Sequence, residues 1–440
     1  MDLLIRGGTV VTMDAGRTVR RGDVLVRDTR IERVGRVRPT RPCRVLDATG
    51  CAVLPGLVQA HVHLSQTVMR GMADDLPLLA WLRQRIWPLE AAHDEASLTA
   101  SARLGLAEML LAGTTTILDM GTVHHQDAIF TAMRDSGIRA FGGKAMMDMG
   151  EGVPRRLRES TRRSLTESER LISDWHGAGE GRIAYALAPR FVLSCSESLL
   201  RAVGALGRER GLLVHSHAAE HAEERLAVRR ALGTTDVEAL SSCGIHGPGT
   251  VLAHGVQLSS AEVRKVARQG TRFVHCPSAN LKLASGIAPI VAMRRAGVVL
   301  GLGADGAPCN NRMDPWTEMR EASLLAKARE RDATALGAMD ALAMATVDGA
   351  RVLGIADRTG SVEVGKQADL VVVSLAGAHV GPEGDVAGRL VYSASAADVR
   401  HVIVDGRVLV RGGELRTMDL ERVCHDARRQ ARRLRQRAGV

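Results

Sequence analysis

Leu54-Pro-Gly-Leu-Val-Gln-Ala-His-Val-His63 is the stretch on which the reading of this chain turns. The run 51–58 is apolar and reads as a buried strand. Just beyond it stand His61 and His63, one residue apart. Residues i and i+2 of a strand share a face, so both imidazoles can converge on one point past the strand end. Imidazole is the commonest side-chain metal ligand near neutral pH. A lone His-x-His is more often an ordinary pair of histidines, so the metal reading needs ligands from elsewhere in the chain.

Working outward, the chain has 440 residues. That exceeds a small single-core domain and suits an α/β barrel with an accessory unit. Hydrophobic residues make up 45% and charged residues 25%, ordinary for a soluble globular protein. The formal net charge of +10 comes almost wholly from arginine, since only five lysines are present. A basic balance can signal nucleic-acid binding. Here the arginines are scattered except in 155–170 and 426–437, which read as solvated helix faces. With aromatics at only 2% there is little to stack on bases, which argues against that class. Seven dispersed cysteines without a Cys-x-x-Cys pair read as reduced thiols of a cytoplasmic protein, not as a disulfide framework or zinc cluster. No apolar run of about 18 residues suggests a membrane span, and the N-terminus does not read as a signal peptide.

Residues 1–54 look all-β, with short strands expected at 3–5, 9–13, 23–26 and 30–34. Residues 361–417 repeat the flavour. There 361–365 turns into 368–373, and 399–404 turns at Asp405-Gly406 into 407–410, a strong hairpin signal. Neither piece has enough strands to stand alone, so both ends are expected to join in one small β-sandwich. The remainder, 418–440, reads as a C-terminal helix.

Between the two ends, in 55–360, strands and helices alternate. After a strand at 53–60 come 114–118, 139–143, 182–188, 211–215, 250–253, 272–274 and 298–302. Helix signals fall between them, such as the Ser259-x-x-Glu262 capping box and Asp314 before Pro315. Eight such units in about 300 residues predict a (β/α)₈ TIM barrel, whose chemistry sits at the C-terminal ends of its strands. Those ends carry His61 and His63, Arg190, His217 with Glu220, His254, His275 and Asp305. Three histidines and a carboxylate around an open position form the ligand set of a catalytic zinc or similar divalent ion.

These residues resemble a known family. Pro55-Gly56 before His61-x-His63, His217-x-x-Glu220, Ala253-His254, His275-Cys-Pro-x-x-Asn280 and Gly303-Ala-Asp305-Gly306 look like the amidohydrolase superfamily. The segment 360–369 resembles that superfamily's C-terminal β-sandwich. Within it, 73–82, Trp87-Pro-Leu-Glu90 and Asp305-Gly-Ala-Pro-Cys-Asn-Asn311 look like the methylthioadenosine, S-adenosylhomocysteine and 5′-deoxyadenosine deaminases. The resemblance implies one divalent metal, zinc with iron(II) as the alternative, held by His61, His63, His217 and Asp305. It also implies Glu220 and His254 as acid–base and orienting groups, Glu90 holding ribose hydroxyls, Trp81 lining the pocket, and a homodimer or larger assembly.

One departure leaves the substrate open. Adenosine-type enzymes usually show Pro-His at the end of the fourth strand, whereas this chain has Pro189-Arg190-Phe191. That pair, with Gln66 of His63-Leu-Ser-Gln66, resembles guanine deaminases, in which the matching residues bind the base. An adenine nucleoside is the preferred substrate, a guanine-type or pterin base the alternative. A non-catalytic barrel acting in assembly is a third reading, against which the complete ligand set with Glu220 speaks. Chemically, a divalent ion lowers the pKa of bound water from about 15.7 toward 7. Asp305 can accept its proton, His254 can hydrogen-bond the attacking oxygen, and Glu220, read as one helical turn after His217, can protonate the ring nitrogen and then the leaving ammonia.

Weaker signals have plainer readings. Lys144 is expected to pair with a carboxylate, and His215 to turn away from the metal and pack in the core. His124-His125 reads as loop surface, Asp74-Asp75 as a solvated or capping pair, and 148–152 as a mobile Gly-rich loop.

Overall fold

The computed structural model describes residues 2–440. Eight parallel strands follow one another around a barrel: Leu57–Val62, Thr114–Met120, Arg139–Gly143, Ile183–Pro189, Leu213–Ala218, Thr250–His254, Arg272–His275 and Leu300–Leu302. Each neighbour pair is in parallel register. The ring closes beyond the eighth strand, where the Asp305 N–H donates to the His61 carbonyl at 3.1 Å. Nearly every strand residue is buried, as expected of strands covered by helices outside and packed side chains within. The expected caps are present. Ser259 and Glu262 form a reciprocal capping box on Ser260–Gln269, and Asp314 caps Pro315–Glu330.

The opening stretch departs from its reading as one strand. Cys51–Pro55 pairs antiparallel with Leu370–Ser374, and only Leu57–Val62 enters the barrel. Gly56 is the break. A Cβ there would lie 2.1 Å from the Thr115 side chain, so only glycine lets the chain pass from one sheet into the other. The two chain ends form one mixed sheet. It combines Asp2–Val11, Val19–Arg27, Arg30–Gly35, Cys43–Asp47 and Cys51–Pro55 with Leu370–Ser374, Val399–Val404, Arg407–Arg411 and Glu414–Leu415. The strands expected at 3–5 and 9–13 are a single strand with an irregularity between Ile5 and Gly8. Residues 361–365 hydrogen-bond to Thr12 and Ile31 without joining the ladder. A helix at Val386–Tyr392 was not anticipated, and the C-terminal helix spans Leu420–Ala438. Among the described residues no helix is long and apolar enough to cross a membrane.

A buried ion triad ties sheet to barrel. Arg139, at the start of the third barrel strand, reaches Asp369 and Asp405 at 2.7 Å each, all three nearly inaccessible. Arg139→Met would strand two buried carboxylates. It should lower the unfolding free energy by about 3–5 kcal/mol in urea titrations. A loss below about 1 kcal/mol would mean that desolvation of the triad cancels its attraction.

Candidate active site

Five polar side chains from the first, fifth, sixth and eighth strands meet above the barrel. His61, His217, His254 and Asp305 present ligand atoms all within 4.8 Å of one another. His63 joins them, its Nε2 lying 3.3 Å from both Asp305 Oδ1 and His217 Nε2. The strand ends are tightly shaped. A Cβ at Gly303 would come within 2.5 Å of the His61 carbonyl oxygen. His254 (φ 76°) and Asp305 (φ 62°) both sit in the left-handed region, a strain of order 1–3 kcal/mol each that the surrounding fold must hold in place.

The far ring nitrogen of each histidine is anchored. His63 Nδ1 donates to the Met120 carbonyl at 2.9 Å, and His217 Nδ1 donates to the Arg190 carbonyl at 2.7 Å. His254 Nδ1 donates to Asn280 Oδ1 at 2.9 Å, and His61 Nδ1 lies 2.8 Å from His215 Nε2. A carbonyl oxygen only accepts, so His63 and His217 carry their protons on Nδ1, and their Nε2 lone pairs face each other. The Nε2 atoms of His61 and His254 are buried without a hydrogen-bond partner. Burial, then neighbouring histidines, holds His61 and His63 well below the ordinary imidazole range; burial, then His254, brings His217 to about 3. Neutral imidazoles aiming bare lone pairs at a carboxylate fit a divalent cation and little else.

His215 corrects its reading. Two residues before His217 on the same strand, it lies on the same face, one layer deeper, and orients His61. Glu220 is corrected as well. It follows the strand end in a loop, not in a helix, and Ala219 (φ 54°) turns the chain there. The next helix, Ala222–Leu232, is capped by His221. Glu220 is buried, with Oε2 3.5 Å from His254 Nε2. Burial first, and Asp305 second, push its carboxyl well above the usual range.

Gln66, Trp81, Arg190, Phe191 and Glu220 line one slot beside this centre, closed by Leu78, Leu82 and Leu283. Glu90 lies behind them. It accepts from Gln66 Nε2 at 2.8 Å and from Arg190 Nη1 at 2.5 Å. The features that pointed to two different substrates are therefore one buried network. Sequence reading missed Asp119, which fixes the residue after His63 by accepting the Leu64 N–H at 2.8 Å, and Glu224, which accepts from the Glu220 N–H at 3.0 Å. Asp119 directly follows a predicted barrel strand, a position that could have flagged it; Glu224 gave no comparable signal.

The weaker signals are settled too. Lys144 bonds Glu159, as expected, and Asp74 pairs with Lys282. His275 is buried with both ring nitrogens unpartnered and lies outside the cluster. Asp148 accepts from Ser196 and Thr161.

Fold and site define a barrel hydrolase organised around a metal centre at the C-terminal ends of its strands. The chain belongs to the amidohydrolase family, whose model matches residues 52–409. It is 42% identical to the 5′-deoxyadenosine deaminase of Methanothermobacter thermautotrophicus over 95% of both chains. It is 36% identical to a 5-methylthioadenosine/S-adenosylhomocysteine deaminase of Moorella thermoacetica, over 96% of this chain and 97% of the relative. Among solved structures, a zinc-bound adenosine deaminase from Xanthomonas campestris superposes with a TM-score of 0.93 at 35% identity, covering 99% of each chain. The chain is a hydrolase acting on carbon–nitrogen bonds.

Proposed function

We propose that this protein hydrolytically deaminates an adenine nucleoside such as 5′-deoxyadenosine or methylthioadenosine, releasing ammonia, with one zinc ion held by His61, His63, His217 and Asp305. The observation that carries the proposal is Glu220, a buried acid at the junction of the metal centre and an apolar slot. The similarity to nucleoside deaminases over almost the whole chain supports the choice of substrate. The ion supplies an activated water near neutral pH. Asp305 takes the proton of the attacking water. His254, oriented by Asn280, hydrogen-bonds that water and fixes its approach. Glu220 protonates the ring nitrogen next to the amine-bearing carbon, which makes that carbon electrophilic; it then takes the proton of the adduct's new hydroxyl and passes it to the departing ammonia as the carbonyl forms, and the proton held by Asp305 restores its acid form. Trp81, Leu78 and Leu82 exclude solvent from the base.

Glu90 supplies the acceptor for two vicinal ribose hydroxyls, which replace the Gln66 and Arg190 donors as the sugar enters. Glu90→Gln should therefore raise KM for 5′-deoxyadenosine about ten- to hundredfold, the worth of a charge-assisted hydrogen bond, and leave kcat within a few-fold. A second reading rests on Arg190, Phe191 and Gln66, which face the slot directly while Glu90 stands behind them. The Arg190 and Gln66 donors suit the carbonyl edge of a guanine-type base, with Phe191 against its ring. Ammonia release from 5′-deoxyadenosine, methylthioadenosine, S-adenosylhomocysteine, adenosine, guanine and 8-oxoguanine separates the two. Turnover of guanine and of no adenine nucleoside would reverse the assignment.

A further inference from the structure

A second hollow, of about 1040 Å³, opens beside the loop that follows the second barrel strand. Its wall carries His124 and His125 from that loop and a run of arginines from 155–163. None of these residues belongs to the slot that holds Glu220.

The charge in this hollow is unbalanced. Glu159 is buried and committed to Lys144, and Glu167 is committed to Arg170 at 2.7 Å. Arg163 comes only within 3.8 Å of Glu159. Among the described residues no carboxylate lies within 4.0 Å of the guanidinium groups of Arg155, Arg156, Arg158 or Arg162, and these groups make no hydrogen bond inside the protein. Four like charges around one concavity, all on exposed side chains, sum to a positive potential that attracts an anion.

The backbone beneath them is anchored. Leu157 is buried in the same apolar cluster as Trp87, and the Glu159 N–H donates to the Met147 carbonyl at 2.9 Å. His124 Nε2–H donates to the Arg156 carbonyl at 2.6 Å. The helix Thr161–Trp175 begins in the same wall at its cap Ser160, adding the positive end of a 15-residue helix. Guanidinium groups present paired donors that match phosphoryl oxygens two at a time. Four of them outnumber what one monophosphate needs, and the hollow is large enough for a nucleotide. No Phe, Tyr or Trp lines the wall, so it lacks the large aromatic platforms on which single-stranded nucleic acid stacks best.

We propose that this hollow binds a small oligophosphate, either free or as the tail of a nucleoside triphosphate. Calorimetry on the metal-loaded full chain, with tripolyphosphate, ATP and inorganic phosphate as probes, tests it. Tripolyphosphate and ATP should bind about tenfold or more tightly than phosphate. The double variant Arg156→Glu/Arg162→Glu should weaken both by about tenfold or more, with melting temperature and nucleoside turnover unchanged. Arg155→Gln/Arg158→Gln gives an independent loss should the first pair fold poorly. Arg432→Glu/Arg433→Glu, on the exposed C-terminal helix, should leave binding as it was. Tripolyphosphate binding no tighter than phosphate would overturn the proposal. Binding that survives both hollow variants would overturn it too, since the probe would then be held at the metal centre. Tighter binding of a single-stranded RNA than of ATP would assign the surface to another class of partner and reject the oligophosphate.

Discussion

Stripping the divalent ion with a chelator is expected to take ammonia release below detection, and restoring zinc to bring it back. The expectation follows from proton placement. His63 and His217 donate from Nδ1 to carbonyl oxygens, so their Nε2 lone pairs stand 3.3 Å apart with nothing between them to share. Asp305 adds a carboxylate 3.2 Å from His61 Nε2 and 3.3 Å from His63 Nε2. Without a cation these groups repel, and water near them keeps a pKa of about 15.7 instead of one near 7. Elemental analysis should find about one ion per chain, and Asp305→Asn should hold markedly less. Because only the folded chain assembles the ligands, removal should also lower the melting temperature. A site filled to a thousand times its Kd contributes about 4 kcal/mol. Full turnover in chelator from protein shown to carry no metal would refute the assignment.

Glu220→Gln should lower turnover by roughly two to four orders of magnitude while leaving metal content unchanged. Glutamine preserves shape and a donor N–H but has no proton to transfer. Glu220 is buried, and both burial and Asp305 raise its carboxyl, so the acid form persists further into the neutral range than for an ordinary glutamate. The sign of the pH dependence follows. Activity that needs the protonated acid is retained below the raised pKa and lost as pH climbs through it. A bound cation opposes the shift and draws that limb to lower pH. In Glu220→Gln the limb should vanish from the kcat/KM profile along with most of the rate. A variant that keeps near-normal turnover, or keeps the limb, would take Glu220 out of the proton transfers.

The network joining Gln66, Glu90 and Arg190 changes how the substrate question is put. As separate motifs, Glu90 favoured a ribose and Arg190 with Gln66 favoured a base. In the folded chain Arg190 also positions His217 through its carbonyl oxygen, so truncating its side chain and shifting its backbone are different perturbations. Comparing Glu90→Gln with Arg190→Gln for both substrate classes separates sugar recognition from repair of an uncompensated buried charge.

The barrel and the convergence of His61, His63, His217, His254 and Asp305 at one end of it were legible from residue order. Apolar runs separated by capped helices fix a strand count, and polar residues placed just past such runs fall at one end of the barrel. The pairing of both chain ends was readable from their strand-poor pieces and the Asp405-Gly406 turn. Three matters belonged to tertiary structure alone. The division of 51–62 between two sheets depends on Thr115 pressing against Gly56, a contact 59 residues away in sequence. The turn that aims Glu220 depends on a left-handed Ala219, which no local preference announces. The joining of Glu90 to Arg190 and Gln66 spans separate elements and is decided by which side chains a shared, water-poor space forces to satisfy one another. Local pattern sets periodicity and strand ends; which buried donor meets which acceptor is settled only when the whole chain has closed around them.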